Sequence, residues 1–223
     1  MKFSYLIAGA AIAFSTTMVQ AATVDLDLGV GAAAPADINT IPGQDFIPEL
    51  TAAGATHLYA GPLTLTPDGP VRLTFSLVAS ESGFVNTFLF NGSPEITEIG
   101  NGGIADFTTG ARNNAGNPNT FSVNFFGGDV ASAISFEAFD NSTSTTLSFN
   151  SGQEEFGIFA DSASIDALSV FYLALDDDGA NKDDNHDDII IRVDVAPVPL
   201  PAAAWMLLAG LGGLVGMRRF KRA

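Results

Sequence analysis

Apolar residues in this chain recur at every second position in short runs. Nowhere do they hold a 3.6-residue period long enough for a core helix. Val71, Leu73, Phe75 and Leu77 alternate with Arg72, Thr74 and Ser76, while Ile189, Ile191, Val193 and Val195 alternate around Arg192 and Asp194. Alternation of this kind turns one side of a strand to a core and the other to solvent. The run 22–30 does the same with Val24, Leu26 and Leu28, and further short runs fall at 121–126, 133–139, 145–149 and 156–160, each bounded by Gly, Asn, Asp or Ser. About a dozen short strands with turn signals every 8–12 residues predict an all-β fold, an antiparallel β-sandwich or jelly roll.

Within that fold the clearest hairpin is expected over residues 71–90. Ser80, Glu81, Ser82 and Gly83 turn the chain, and the return strand sets Phe84, Phe88 and Phe90 on one side. Pro35, Pro42 and Pro48 block a long helix or central strand, so residues 31–54 read as a long surface loop. Residues 100–119, rich in Gly and Asn, read as a loop with at most one edge strand. The run 168–175 is apolar on both faces, as a strand covered on each side would be.

The two ends of the chain read as targeting segments. Lys2, an apolar stretch and a small-x-small site before the Ala21/Ala22 junction make residues 1–21 a cleavable secretory signal. Residues 22–195 then form one β domain, and residues 196–223 a tail. That tail holds an apolar run of 17 residues over 201–217, at the short end of what crosses a hydrocarbon core about 30 Å thick. A transmembrane helix is expected over 202–217. Arg218, Arg219, Lys221 and Arg222 follow it with no acid, and positive charge holds such an end on the cytoplasmic side.

Charge limits the partners. All 25 acids lie between Asp25 and Asp194, where the only bases are Arg72, Arg112, Lys182 and Arg192, a net of −21. Such a surface repels phosphate backbones and favours cations, which argues against nucleic acid. With no cysteine, neither disulfides nor thiolate metal sites are available.

The most acidic stretch is 176–188, DDDGANKDDNHDD, in which seven of thirteen residues are Asp. Carboxylates so close repel unless a cation or water intervenes, and hard oxygen ligands favour Ca2+. Asp176, Asp178, Asp183, Asn185 and Asp187 are the candidate ligands, with Gly179 allowing the turn and His186 at the surface or behind the ligand shell. A solvated acidic turn explains the composition equally well. An EF-hand register from Asp183 fails, because Asp188 stands at the sixth position where glycine is needed.

Signatures of enzymes are missing. There are two histidines, His57 and His186, no G-x-S-x-G motif and no zinc-ligand spacing. Glu154 with Glu155, or Glu95 with Glu98, would be the carboxylate pair of a secreted hydrolase, the weakest reading. A carbohydrate-binding module, Ca2+-dependent or not, would need an aromatic platform, for which Tyr59, Tyr172 and the Phe residues are available. Arg72 and Arg192 read as cross-strand partners of acids.

Val198, Pro199, Leu200, Pro201 and Ala202, followed by Trp205, a Gly-rich span and the Arg218-Arg219 cluster, resemble the PEP-CTERM sorting signals, specifically the VPLPA-CTERM subgroup. The resemblance implies export through signal peptidase, transient anchoring in the inner membrane, and processing near the Pro tetrad by an exosortase-type membrane peptidase. Release to the cell surface or an extracellular, exopolysaccharide-rich matrix would follow. In the body, residues 81–86 (ESGFVN) are similar to a Glu-Ala-Gly-aromatic-Thr-Asn turn of the β-rich proteins that carry such tails, departing at Ser82 and Val85. Residues 176–195 are similar to their Asp-rich final hairpin. A non-enzymatic exported protein is the expectation.

Overall fold

The computed structural model describes residues 22–98, 104, 105, 107, 119–177, 185–198 and 210. Its strands in chain order are β1 (Val24–Leu28), β2 (Ala36–Asp37), β3 (His57–Ala60), β4 (Leu63–Pro67), β5 (Val71–Ser80), β6 (Val85–Phe90) and β7 (Ser93–Thr97). They continue with β8 (Ile104–Ala105), β9 (Thr120–Phe125), β10 (Ile134–Asp140), β11 (Thr145–Asn150), β12 (Phe156–Ala160), β13 (Val170–Leu175) and β14 (Ile189–Pro197). A six-residue helix, α1 (Ile47–Ala52), lies between β2 and β3. The chain is all-β and sandwich-like, as the alternation predicts. An eight-stranded antiparallel sheet runs β2-β3-β12-β13-β14-β5-β8, with β9 also paired to β5; a four-stranded sheet runs β11-β10-β6-β7; β1 and β4 form a separate pair.

The expected hairpin over 71–90 does not form. β5 pairs with β14 and β9 in the large sheet, whereas β6 pairs with β10 and β7 in the small one. The chain crosses between layers at residues 81–84. Packing gives the reason: the Phe75 ring on β5 lies 4.8 Å from Phe88 and 5.7 Å from Phe90 on β6. Two strands that each carry one apolar face bury more by facing each other than by lying side by side. Phe88 lies 5.8 Å from Phe136 on β10, which in turn lies 5.8 Å from Phe156 on β12, so the ring contacts pass from one sheet to the other and back.

A second apolar cluster covers the outer face of the large sheet. Tyr172, Ala174, Ile190, Val78 and Phe159 pack there beneath Ile38, Leu50 and Ala55. Residues 31–54 are therefore a cover and not the surface loop expected. Pro48 is accommodated in the first turn of α1, where a missing N–H costs nothing, and Leu50 is fully buried. The cover explains why β13 is apolar on both faces: Phe171, Leu173 and Leu175 face the inter-sheet core while Tyr172 and Ala174 face the cover.

β14 runs to Pro197, two residues beyond the expected domain end, and the Val198 N–H donates to the Pro70 carbonyl at 3.4 Å. The signal over 1–21, the rest of the Pro tetrad, the helix over 202–217 apart from Gly210, and the basic end lie outside the described residues. Among the described residues no helix is long and apolar enough to cross a membrane.

Candidate functional site

Where the chain crosses between the sheets, both layers contribute polar groups to their shared interior. A bulge in the β14–β5 ladder between Ile190 and Ile191 leaves Val78 as an extra residue. Val78 and Ala79 both join the outer cluster, and the alternation that had pointed Arg72, Thr74 and Ser76 outward is reversed by Ser80, which is 3 % exposed. Beyond it, the Ser82 hydroxyl accepts from the Phe84 N–H at 2.8 Å and donates to Asp177 Oδ2. Asn86, on β6 of the other sheet, donates from Nδ2 to the same oxygen at 2.8 Å. Asp188 Oδ2 accepts from the Asp177 N–H at 2.7 Å, and Glu98, just past β7, is tied by its N–H to the Asn86 carbonyl at 2.7 Å.

The described ends of 176–188 are thus not a solvated turn. Asp176, Asp177, Asn185, His186 and Asp187 are each no more than 3 % exposed. Two foci can be distinguished. Asp177 accepts from Ser82 and Asn86 and its N–H holds the Asp188 carboxyl, whereas Asp187 Oδ2 accepts from the Asp45 N–H at 2.6 Å and from Gln44 Nε2 at 3.3 Å. Asn185 Nδ2 donates to the Gly43 carbonyl at 3.2 Å, so the second focus ties the acidic loop to the cover. Of the five candidate ligands, Asp176, Asn185 and Asp187 are described; Asp178 and Asp183 lie outside the described residues. Asp177, Asp188 and Asn86 did not figure among the candidates, and Glu98 did so only as the partner of Glu95 in a hydrolase pair. The one sequence signal toward Asn86 was the ESGFVN segment, whose first and last residues flank the crossing.

His186, expected at the surface or behind the ligand shell, is buried at φ 59° with its Nε2–H donating to the Glu154 carbonyl at 2.6 Å. A Cβ on Gly157 would come within 2.8 Å of that ring and 2.6 Å of Leu58, so only glycine lets the imidazole lie against β12. A cleft of about 370 Å³ opens beside it, lined by Ala36, Ile41, Pro42, Leu58, Glu154 and His186 among others.

Burial shapes the electrostatics. It pushes the Glu98 carboxyl up to about 7, aided by the nearby Asp177 charge and opposed by the Ser80 hydroxyl and the Asn86 backbone. Asp188 is pushed up to about 8, first by burial and then by the charges of Asp177, Asp176 and Asp187, against the hydrogen bond from the Asp177 N–H. Asn86 Oδ1 and Glu98 Oε2 are buried and accept no hydrogen bond from the described residues. Among those residues no three His, Asp or Glu side chains already stand at metal-holding spacing.

Other candidates resolve simply. Tyr59 and Tyr172 are each 2 % exposed, so neither offers a platform for a sugar ring. Arg192 pairs with Asp194 two positions along its own strand at 2.7 Å, and not across the ladder. Arg72 is exposed on β5 opposite Asn124 and Ala196. Comparison with protein-family models, characterised proteins and solved structures gave no match.

Proposed function

We propose that this chain is an exported, non-enzymatic β-sandwich protein of the cell surface or extracellular matrix, delivered by a disposable C-terminal sorting tail. The observation that carries the reading is the ordered run Val198, Pro199, Leu200, Pro201 and Ala202 before an apolar span and the basic cluster Arg218, Arg219, Lys221 and Arg222. A Pro-rich segment is extended and accessible, and this one begins where β14 ends at Pro197. Processing there would release a domain whose last strand is already paired with β5 and β13. The −21 balance of the body suits a soluble, monomeric or matrix-dispersed product and not one that binds nucleic acid.

Signal peptidase acts first in this scheme, at the Ala21/Ala22 junction. The inner membrane then holds the precursor by residues 202–217 until an exosortase-type peptidase acts near the Pro tetrad. Intact-mass measurement of the exported protein tests it. A mass beginning at Ala22 and ending near residues 198–202 is expected, and a mature form still carrying residues 205–223 would refute processing and leave a plain anchor.

A further inference from the structure

We propose that, in the membrane-held precursor, the end of the sandwich where residues 22 and 198 leave the fold rests on the lipid headgroups, with Phe126 as its apolar contact. The inference rests on the sorting reading, which supplies the anchor. Both attachment points close on one short turn, residues 68–70. The Asp68 N–H donates to the Thr23 carbonyl at 3.1 Å and the Thr23 hydroxyl to Asp68 Oδ2 at 2.6 Å, while the Pro70 carbonyl accepts from the Val198 N–H at 3.4 Å. The strand registers agree, with Val24 opposite Pro67 and Pro197 opposite Val71. The expected signal and the expected anchor therefore join the domain at the same end.

The connection leaves that end little freedom. Four peptide steps separate Val198 from Ala202, where the apolar helix is expected to begin, and at 3.3–3.6 Å each they reach at most about 14 Å. The headgroup layer takes up roughly 5–7 Å of this reach. The turn is thus held within roughly 10 Å of the lipid surface.

What the end presents suits an interface. β9 finishes beside the start of β5, with Phe125 opposite Val71, and the next residue, Phe126, is 73 % exposed. Gly127 and Gly128 follow it and carry no side chain that could shield the ring. A lone exposed phenylalanine is ordinary on a soluble surface, but beside an anchor it lies where apolar rings enter the boundary between headgroups and acyl chains. Arg72 is exposed one residue beyond Val71 and pairs with no acid among the described residues, so its long stem can lie along the interface with the charge on a phosphate. The acids nearest in sequence to Pro70 and Phe126 are already engaged: Asp68 by the Thr23 hydroxyl, and Asp129 by the N–H groups of Leu65 at 2.8 Å and Ala131 at 2.9 Å. The contact is therefore chiefly apolar and does not require anionic lipid.

The chain has no cysteine, so one introduced thiol carries a fluorophore at a single place. Gly69→Cys labels the turn, where an added Cβ meets only open space, and leaves Phe126 intact. Asn141→Cys labels the exposed turn after β10, at the opposite end where β5 gives way to β6. Each labelled full chain is reconstituted into phosphatidylcholine vesicles, and quenching by a headgroup spin-labelled lipid is measured. Quenching should be several-fold stronger at 69 than at 141, and Phe126→Ser should lower it at 69 while leaving 141 unchanged. Weak quenching at both positions in chains that co-sediment with the vesicles overturns the docking and leaves the anchor standing. Equal strong quenching at both, a signal at 69 that appears only with phosphatidylglycerol, or one that Phe126→Ser does not alter also overturns it. A chain that fails to co-sediment at all defeats the anchor itself, and the docking with it.

Discussion

Glu98 and Asp188 give the protein a stability that falls as pH rises across neutrality. In the unfolded chain both carboxyls ionise near their ordinary values of 4.5 and 3.8, whereas in the fold they hold their protons to about 7 and about 8. The folded state therefore binds more protons than the unfolded state between about pH 4 and pH 8, and stability declines with pH through that window. Their contribution is fully present below the unfolded values and lost above the folded ones. Asp140 acts the other way. Ser142 and Thr143 hold its exposed carboxyl down to about 2, so its contribution exists above the unfolded value and is lost as pH falls toward 2. The melting temperature should drop from about pH 5 to about pH 8, and Glu98→Gln should flatten the slope and melt higher than the wild type at the alkaline end. A profile that rises over this range, or one that Glu98→Gln leaves unchanged, would show that the carboxyl is ionised and satisfied in the fold.

At the scale of elements, the two faces of the large sheet differ in what they support. Phe88 is fully buried between the sheets and touches Phe75 and Phe136, so Phe88→Ala removes a ring that both layers share. Leu50 is just as buried, but beneath the short α1 in the cover. Phe88→Ala should cost about 3–5 kcal/mol of global stability, and Leu50→Ala about 2–5 kcal/mol. Hydrogen exchange separates the two, because loss of Leu50 should raise exchange first in residues 36–56 while loss of Phe88 raises it through both sheets. Uniform exchange in both variants would mean that cover and core open as one unit. The strands themselves were legible, since alternation in β5, β10 and β14 and the doubly apolar β13 are properties of contiguous residues. Their partners were not: β5 and β6 look like a hairpin locally, and only the facing rings of Phe75, Phe88 and Phe90 decide that the chain crosses between layers. The cover was missed because prolines exclude a long helix without excluding a single turn. The buried acids were missed for a related reason. Composition marks 176–188 as acidic, but its burial depends on residues 43–45 and on Asn86, which lie far away in sequence.

On the scale of the whole molecule, charge is the dominant global property. The full chain carries −16, and the basic residues that reduce it from −21 sit mainly at the two ends. Described acids outside the buried cluster, such as Asp27, Asp68, Asp129 and Asp166, are spread along many elements, and Arg192 is already matched by Asp194. Mutual repulsion should therefore favour the expanded state at low ionic strength, where the screening length is about 30 Å. Raising NaCl from about 0.01 M to about 0.15 M shortens that length to about 8 Å, so the melting temperature should climb over this range and then level off. The levelling distinguishes screening from a salting effect on apolar burial, which would continue to grow with concentration. A melting temperature that stays flat from low to physiological salt would mean that the surface acids lie too far apart, or too well solvated, to destabilise the fold, and acidity would then bear on solubility and partner choice alone.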